Sequence, residues 1–144
     1  MEVARTDDYI MMRLNHGENI LESIEEIVAG EKSTLLIVAG IGMITDFELG
    51  YFDREKREYI RRSFNEPHEL TMLQGSVASE GSPRMHIHAV VADRDHHTSG
   101  GHLLKGWAWM SNEIGFLRLK GVSSKRWLEK DKGVAVLHVS QVTD

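Results

Sequence analysis

Apolar residues recur at one-turn spacing in one segment near the start of the chain, which reads GENILESIEEIVAGEK. Its apolar positions lie along one side of a helix, while the glutamates lie elsewhere around the axis. The apolar positions are Ile20, Leu21, Ile24, Ile27 and Val28. The spacing predicts an amphipathic helix that ends at Gly30.

The rest of the chain carries short runs that are rich in β-branched and aromatic residues and are separated by Gly, Asp and Asn. A strand-like segment, Tyr9 to Leu14, precedes the helix, and about eight runs follow it. These runs are TLLIVAG, MITDFELGYFD, EYIRRSF, ELTMLQGSV, MHIHAVVAD, HLLKGWAWM, EIGFLRLK and VAVLHVSQV. Connections such as DREKR and DRDHH suit antiparallel hairpins and are too short for parallel crossovers. We therefore expect an α+β fold, mainly an antiparallel sheet with one principal helix packed on it. The segment SSKRWLEKDKG fits either a short helical turn or a long loop.

Composition and charge narrow the class of protein. The 144 residues, 41% of them hydrophobic, suffice for one domain with a core, which we assign to residues 1–144. A net charge of -5 gives no general attraction to a phosphate backbone, so DNA binding would need a local basic patch. The N-terminus lacks a signal-like pattern and no run is long enough to cross a membrane, so we expect a cytoplasmic protein.

The absence of cysteine excludes thiolate ligands and leaves histidine and carboxylates as the strong metal ligands. Five of the eight histidines lie in the stretch MHIHAVVADRDHHTSGGHLL, from Met85 to Leu104. On a strand, His86 and His88 project from the same face. A hairpin centred on Arg94 would place His102 across from His86 as a third ligand.

Three neutral imidazoles with an open fourth position are typical of catalytic zinc, and the open position leaves room for a small-molecule ligand. Gly100 and Gly101 would let the backbone bend before His102, while His96 and His97 are expected to be exposed in the turn. The alternative is a half-exposed strand that carries histidines without any metal.

The stretch MHIHAVVADRDHHTSGGHLLKG resembles the signature of the plants-and-prokaryotes conserved (PPC) domain family. The resemblance extends through MRLNHGENILESIEE, VAGIGMITDFELGYFD and HELTMLQGSV, and is looser from Ser123 onward. It implies a compact α+β domain that forms homotrimers, and free-standing prokaryotic members are labelled candidate DNA-binding proteins. The AT-hook of the plant proteins is missing, because neither Pro67 nor Pro83 lies in an Arg-Gly-Arg-Pro context.

The fold that the resemblance implies is also similar to acetolactate decarboxylase and related metalloproteins, in which three histidines hold zinc. The resemblance places those ligands at His86, His88 and His102. The sequence is compatible with two functions. One is a trimeric binding or regulatory module of the DNA-binding class, and the other is a small metal-dependent hydrolase or lyase. A third possibility is an interaction protein that binds no metal.

Several other residues are candidates for function. Glu69 and Glu113 are possible general bases, and Arg84 could orient an anionic ligand. The segment Ala39–Gly42 lacks the third glycine of a dinucleotide site and is better explained as a tight turn.

Other side chains are expected to have structural roles. Trp107 and Trp109 should share a face that packs in the core or a subunit interface, and His138 is expected in the core or an interface. The most basic segment, REKREYIRR, fits a solvated hairpin edge or, repeated by a trimer, a modest polyanion site.

Overall fold

The computed structural model describes residues 1–142, which form ten strands and one helix. The helix is α1 (Ile20–Val28). The strands are β1 (Glu2–Arg5), β2 (Tyr9–Asn15), β3 (Thr34–Asp53), β4 (Glu58–Phe64), β5 (His68–Val77), β6 (Glu80–Gly81), β7 (Met85–Ala92), β8 (Thr98–Leu119), β9 (Val122–Glu129) and β10 (Val134–Gln141). The predicted α+β class with a mainly antiparallel sheet is confirmed.

Seven strands form one antiparallel sheet in the order β1-β2-β8-β7-β5-β3-β4, with a further pairing between β8 and β3. Because of that pairing, β8, β7, β5 and β3 close into a ring around the apolar core. The remaining strands form a three-stranded sheet, β10-β9-β6, in which β6 and β9 pair in parallel. Among the described residues, no helix is long and apolar enough to span a membrane.

The helix α1 packs on the sheet as its spacing predicts. Ile20, Ile24, Ile27 and Val28 are buried in the core. The helix begins after Asn19, whose side chain accepts a hydrogen bond from the backbone N–H of Glu22 at 3.1 Å, as expected of an N-cap. The predicted helix is therefore confirmed.

Two pairs of predicted strands are each one long strand. TLLIVAG and MITDFELGYFD lie together in β3, and HLLKGWAWM and EIGFLRLK lie together in β8. Register shifts interrupt the pairing of β3 with β8 at several places, so the polar and glycine positions that suggested turns are bulges. The tight turn predicted at Ala39–Gly42 is therefore wrong: Gly42 has φ +139° inside β3, and a Cβ there would overlap the carbonyl oxygen of Ser111.

The segment SSKRWLEKDKG is neither a helical turn nor a long loop, because most of it forms β9. This strand is tied to the large sheet by polar contacts. Ser124 Oγ lies 2.7 Å from Thr34 Oγ1, and Ser79 Oγ donates to Ser124 O at 2.6 Å. Ser124 and Arg126 are buried while their neighbours are more exposed, which places alternate polar side chains of β9 against the sheet.

An ion pair joins the segment that follows α1 to the sheet. Arg118 on β8 donates from Nε and Nη2 to the carboxylate of Glu31 at 3.0 and 2.7 Å. Both side chains are mostly buried, at 13% and 15% exposure. The hydrogen bonds from Arg118 hold the pKa of Glu31 below its ordinary value of 4.5.

We predict that Glu31→Gln destabilises the protein in a pH-dependent way. Because the folded-state pKa is lowered, the pair contributes its full stability well above pH 4.5 and loses it as the pH falls through the lowered pKa. The free energy of unfolding should fall by about 1.5 kcal/mol at pH 7, and the difference from wild type should shrink in acid. Urea denaturation across pH measures this. The exposed pair Glu2–Arg13 provides the control, since Glu2→Gln should change little.

A glycine lets β5 approach the strand that carries two of the histidines. Gly75 on β5 lies opposite Ile87, and a Cβ at Gly75 would overlap the carbonyl oxygen of His86. Gly75→Ala should therefore push β7 outward and lower the free energy of unfolding by about 1 to 3 kcal/mol in thermal or urea unfolding. Gly30→Ala is the control, because a Cβ at Gly30 meets nothing within 4 Å. Equal stability of the two variants would contradict the close approach.

Candidate metal centre

The three predicted histidines lie together at one end of the closed part of the sheet. On β7, Ile87 is 2% exposed and faces the core, so His86 and His88 project from the opposite face. On β8, His102 pairs with His88 and contributes its ring from the neighbouring strand. The alternation of β7 and the antiparallel pairing together place the three rings on one surface.

The expected register of this hairpin is wrong by two residues along β7, which keeps the histidines on the predicted face. His102 lies across from His88 and not from His86, so the hairpin is centred on Asp95 and not on Arg94. The cause is the turn, in which Asp93 Oδ1 accepts from the backbone N–H groups of Asp95 and His97, both at 2.9 Å. His96 adopts φ +63° in this turn. The predicted exposure of His96 and His97 is confirmed.

The histidine nitrogens are close enough to share an ion. One nitrogen from each ring lies within 4.8 Å of the others, and Nε2 of His86 lies 3.0 Å from Nε2 of His88. Two ligands at zinc-like bond lengths on a tetrahedral centre lie about 3.4 Å apart, so small side-chain movements suffice. In addition, Nδ1 of His102 is buried without a hydrogen-bond partner among the described residues. The donor set therefore fits a divalent metal ion.

Burial, together with nearby positive charge, lowers the pKa of His86 and His102 and so favours their neutral form. Burial and the neighbouring histidines and Arg126 lower the pKa of His102 to about 4. Burial, His88 and Arg126 also lower the pKa of His86. A metal ion needs the neutral imidazole, because the protonated ring has no free lone pair.

The cluster opens into a cavity of about 680 Å³. Its walls are mainly apolar and come from both sheets: Tyr51, Phe52, Tyr59, Pro83, Met85, Leu128, Val134 and Ala135. The ring of Tyr59 lies 5.0 Å from that of His102, and burial raises the pKa of Tyr59. Gly50 pairs with His102 from β3, and its missing side chain leaves space for Tyr59, because a Cβ would lie 2.7 Å from Tyr59 Cδ1. Gly100 and Gly101 also line the cavity.

Arg126 on β9 was not predicted as a site residue. Its side chain is 1% exposed, lines the cavity, and donates to Arg84 O and, at 2.8 Å, to Ser76 Oγ. An arginine within the polar segment SSKRWLEKDKG gives no signal of burial, because the same letters fit an exposed loop. Only the pairing of β9 reveals it.

The other candidate site residues lie away from the cluster. Glu69 pairs with Ala92 at the far end of β7, and Glu113 is exposed beside Arg13 on the part of β8 that pairs with β2. Neither lines the cavity, so their predicted role as general bases at the histidines is wrong. Arg84 does not line the cavity either. It donates instead to the backbone oxygens of Ala78, Val28 and Glu31, at 2.8 to 3.0 Å.

Two tryptophans and His138 lie away from the three-histidine cluster. Trp107 and Trp109 share a face, as predicted, and line a second cavity of about 430 Å³ beside His16. His138 is not in the core, because its side chain is 41% exposed. Its ring stacks on Trp127 at 3.7 Å, with Nε2 2.9 Å from Glu129 Oε1.

Known structures share this fold over almost their whole length. A PPC protein from Pyrococcus horikoshii is 30% identical, with a TM-score of 0.81 over 95% of this chain and 93% of that chain. A protein from Archaeoglobus fulgidus described as metal-containing is 28% identical, with a TM-score of 0.78 over 94% of each chain. A candidate DNA-binding protein from Bacteroides thetaiotaomicron is 20% identical, with a TM-score of 0.84 over 95% of this chain and 96% of that one, and shows the fold alone.

A more distantly related structure bears out the expected similarity to acetolactate decarboxylase at the level of the fold. It is a Staphylococcus aureus protein of unknown function described as similar to that enzyme, with 13% identity and a TM-score of 0.52 over 83% of this chain and 54% of that chain. A comparison with curated proteins gave no significant match.

The family model of the Plants and Prokaryotes Conserved domain, abbreviated PCC or PPC, matches residues 1–118. This range includes β7, the turn that joins it to β8, and all three histidines. Since the match covers most of the chain, and the fold agrees with that of a PPC protein, the chain belongs to the Plants and Prokaryotes Conserved domain family.

Proposed function

We propose that this protein is a homotrimeric PPC-domain module whose three-histidine site, His86, His88 and His102, binds a divalent metal ion, zinc by preference. The observation that carries the proposal is the convergence of three imidazoles from two paired strands at the mouth of a cavity. Neutral nitrogen ligands in a set of three are typical of zinc sites that keep one position open. The description of the Archaeoglobus fulgidus relative as metal-containing also supports it.

An ion at this site would act as a Lewis acid toward a small molecule in the cavity. The chain's own residues would hold the ion, offer apolar walls to the ligand and place the Tyr59 ring beside that of His102. Burial raises the pKa of Tyr59, which disfavours a role for its hydroxyl as a base. We favour ligand binding and regulation over hydrolysis, because no carboxylate of residues 1–142 lines the cavity.

A metal-dependent hydrolase or lyase is the second candidate, and the substrate-sized cavity over the histidines favours it. Against hydrolysis, no carboxylate lines the cavity among residues 1–142, so a metal-bound water lacks the expected acceptor. A lyase that only polarises a carbonyl does not need that acceptor. Assay of the zinc-loaded protein with ester and keto-acid substrates tests this candidate.

DNA binding belongs to the first proposal as a property of the assembled trimer. The segment REKREYIRR, residues 54–62, supports it, because its five basic residues outnumber its two glutamates and three copies would multiply that excess of positive charge. The net charge of -5 and the missing AT-hook oppose strong binding. The cytoplasmic location expected from the N-terminal sequence and the single domain over residues 1–144 stay predictions.

An exposed apolar patch supports assembly. Met11 on β2 and Val38 on β3 flank Gly115 on β8, where a Cβ would lie 3.9 Å from each side chain. Both are 47% exposed, and Tyr9 and Ile41 on the same two strands are 59% and 53% exposed. A patch that crosses three strands is typical of a subunit interface.

Metal content tests the site. Protein purified without an affinity tag should contain about one ion per chain by elemental analysis, and His86→Ala and His102→Ala should each lose it, because a zinc site needs at least three protein ligands. His96→Ala in the exposed turn is the matched control and should keep the ion. A folded wild-type protein that holds no metal and takes up no added zinc would contradict the proposal.

Light scattering during size-exclusion chromatography tests assembly. The wild-type protein should have three times the chain mass of 16.3 kDa. Met11→Glu should reduce this mass because it buries a charge in the interface, whereas Val139→Glu on β10, an equally drastic change at a 66% exposed position, should not. A monomeric wild-type protein would rule out the trimer, and an intact Met11→Glu trimer would place the interface elsewhere.

A further inference from the structure

Arg126 is a buried cation without an anionic partner. Its side chain is 1% exposed, and no carboxylate of residues 1–142 forms an ion pair with it. Burial lowers the pKa of Arg126, yet a guanidinium stays charged in proteins. A buried charge that lacks a counter-ion is costly, so folded proteins rarely keep one without a use.

The hydrogen-bonding capacity of Arg126 is also only partly used. Of the five N–H groups of a guanidinium, one on Nη1 donates to Arg84 O and one on Nη2 donates to Ser76 Oγ. Nε is buried and has no partner among the described residues. The two existing bonds fix the orientation of the guanidinium, and they leave part of its hydrogen-bonding capacity unused by the described residues.

This arginine lines the same cavity as the three histidines. It is near enough to lower the pKa of both His86 and His102 through its charge. With a divalent ion on the histidines, the described cavity wall would hold two cationic centres and no carboxylate. Such a cavity favours an anion over a neutral molecule of the same shape.

We propose that Arg126 is the anchor of an anion subsite, and that the cavity binds a small organic carboxylate with an apolar body. A planar carboxylate matches the fork of the guanidinium, while the aromatic and aliphatic walls, among them Phe52, Tyr59 and Leu128, cover the apolar part. The apolar lining favours an anion that carries an apolar body over inorganic phosphate. The proposal rests on the proposed metal site for a second contact to the ligand, but the arginine subsite itself needs no metal.

Calorimetric titration with benzoate and with benzamide tests this on the full chain. The two probes have the same size and shape and differ in charge. Zinc-loaded wild-type protein, dialysed free of excess metal, should bind benzoate at least about tenfold more tightly than benzamide. Arg126→Gln should weaken benzoate binding at least about tenfold while leaving the zinc content unchanged. Arg126→Lys keeps the charge but loses the two-pronged geometry of the guanidinium. Its affinity for benzoate should therefore lie between that of wild type and that of Arg126→Gln.

Lys125→Gln is the matched control. Lys125 is the neighbouring cation on β9, but it is exposed and paired with Glu80 at 2.6 Å, so its loss should leave benzoate binding within about twofold of wild type. If Arg126→Gln does not fold, two readouts still decide the question: the preference of metal-free wild-type protein for benzoate over benzamide, and weaker benzoate binding by Arg126→Lys than by wild type.

The outcomes separate the two proposals. Zinc binding without a preference for benzoate, or with the same preference in Arg126→Gln, would overturn the anion subsite and leave the metal site intact. Protein stripped of metal by a chelator should still distinguish benzoate from benzamide. If the wild-type chain takes up no zinc and yet makes this distinction, the metal site fails and the subsite stands. Tighter binding of inorganic phosphate than of benzoate would overturn the carboxylate as the ligand class.

Discussion

The pairing of β7 with β8 is the interaction on which the site depends. It sets His102 beside His88, while the alternation of side chains along β7 sets His86 on the same face. This pairing is held by the core behind it, where Ile87 and Leu103 are both nearly inaccessible. A slip of one residue in either strand would turn these apolar side chains outward and the histidines inward, so the same hydrophobic force that forms the sheet also positions the imidazoles.

The small sheet completes the site from the other side. Strand β9 carries Arg126 toward the histidines, and the contacts of Ser124 with Thr34 and Ser79 hold that strand against the large sheet. The resulting cavity has a polar end, formed by imidazoles and one guanidinium, and apolar walls. Desolvation at the polar end lowers the pKa of His86 and His102, and no carboxylate among residues 1–142 lines the cavity to offset the charge of Arg126. The same burial therefore favours both the proposed cation on the histidines and the proposed anion on the arginine.

The bends of β3 and β8 show where local patterns mislead. The letters AGIG interrupt the apolar runs of β3, and an isolated pattern of this kind indicates a turn. In the folded chain they lie within one bulged strand, because long-range pairing with β5 and β8 continues on both sides of them. The hairpin centre was misplaced for a similar reason: the hydrogen bonds of the Asp93 carboxylate shape a turn that the number of connecting residues does not specify.

The sequence by itself determined the helix, most of the strands, the family and the three histidines of the candidate metal centre. These follow from local periodicity and from residues close together in the chain, since β7 and β8 are joined by one short turn. Tertiary structure alone decided the rest: the closure of the sheet by β3 and β8, the strand character of β9, the distance of Glu69 and Glu113 from the histidines, and the burial of Arg126. Each of these depends on pairing between residues far apart in sequence, and neither composition nor spacing reports which distant strands meet.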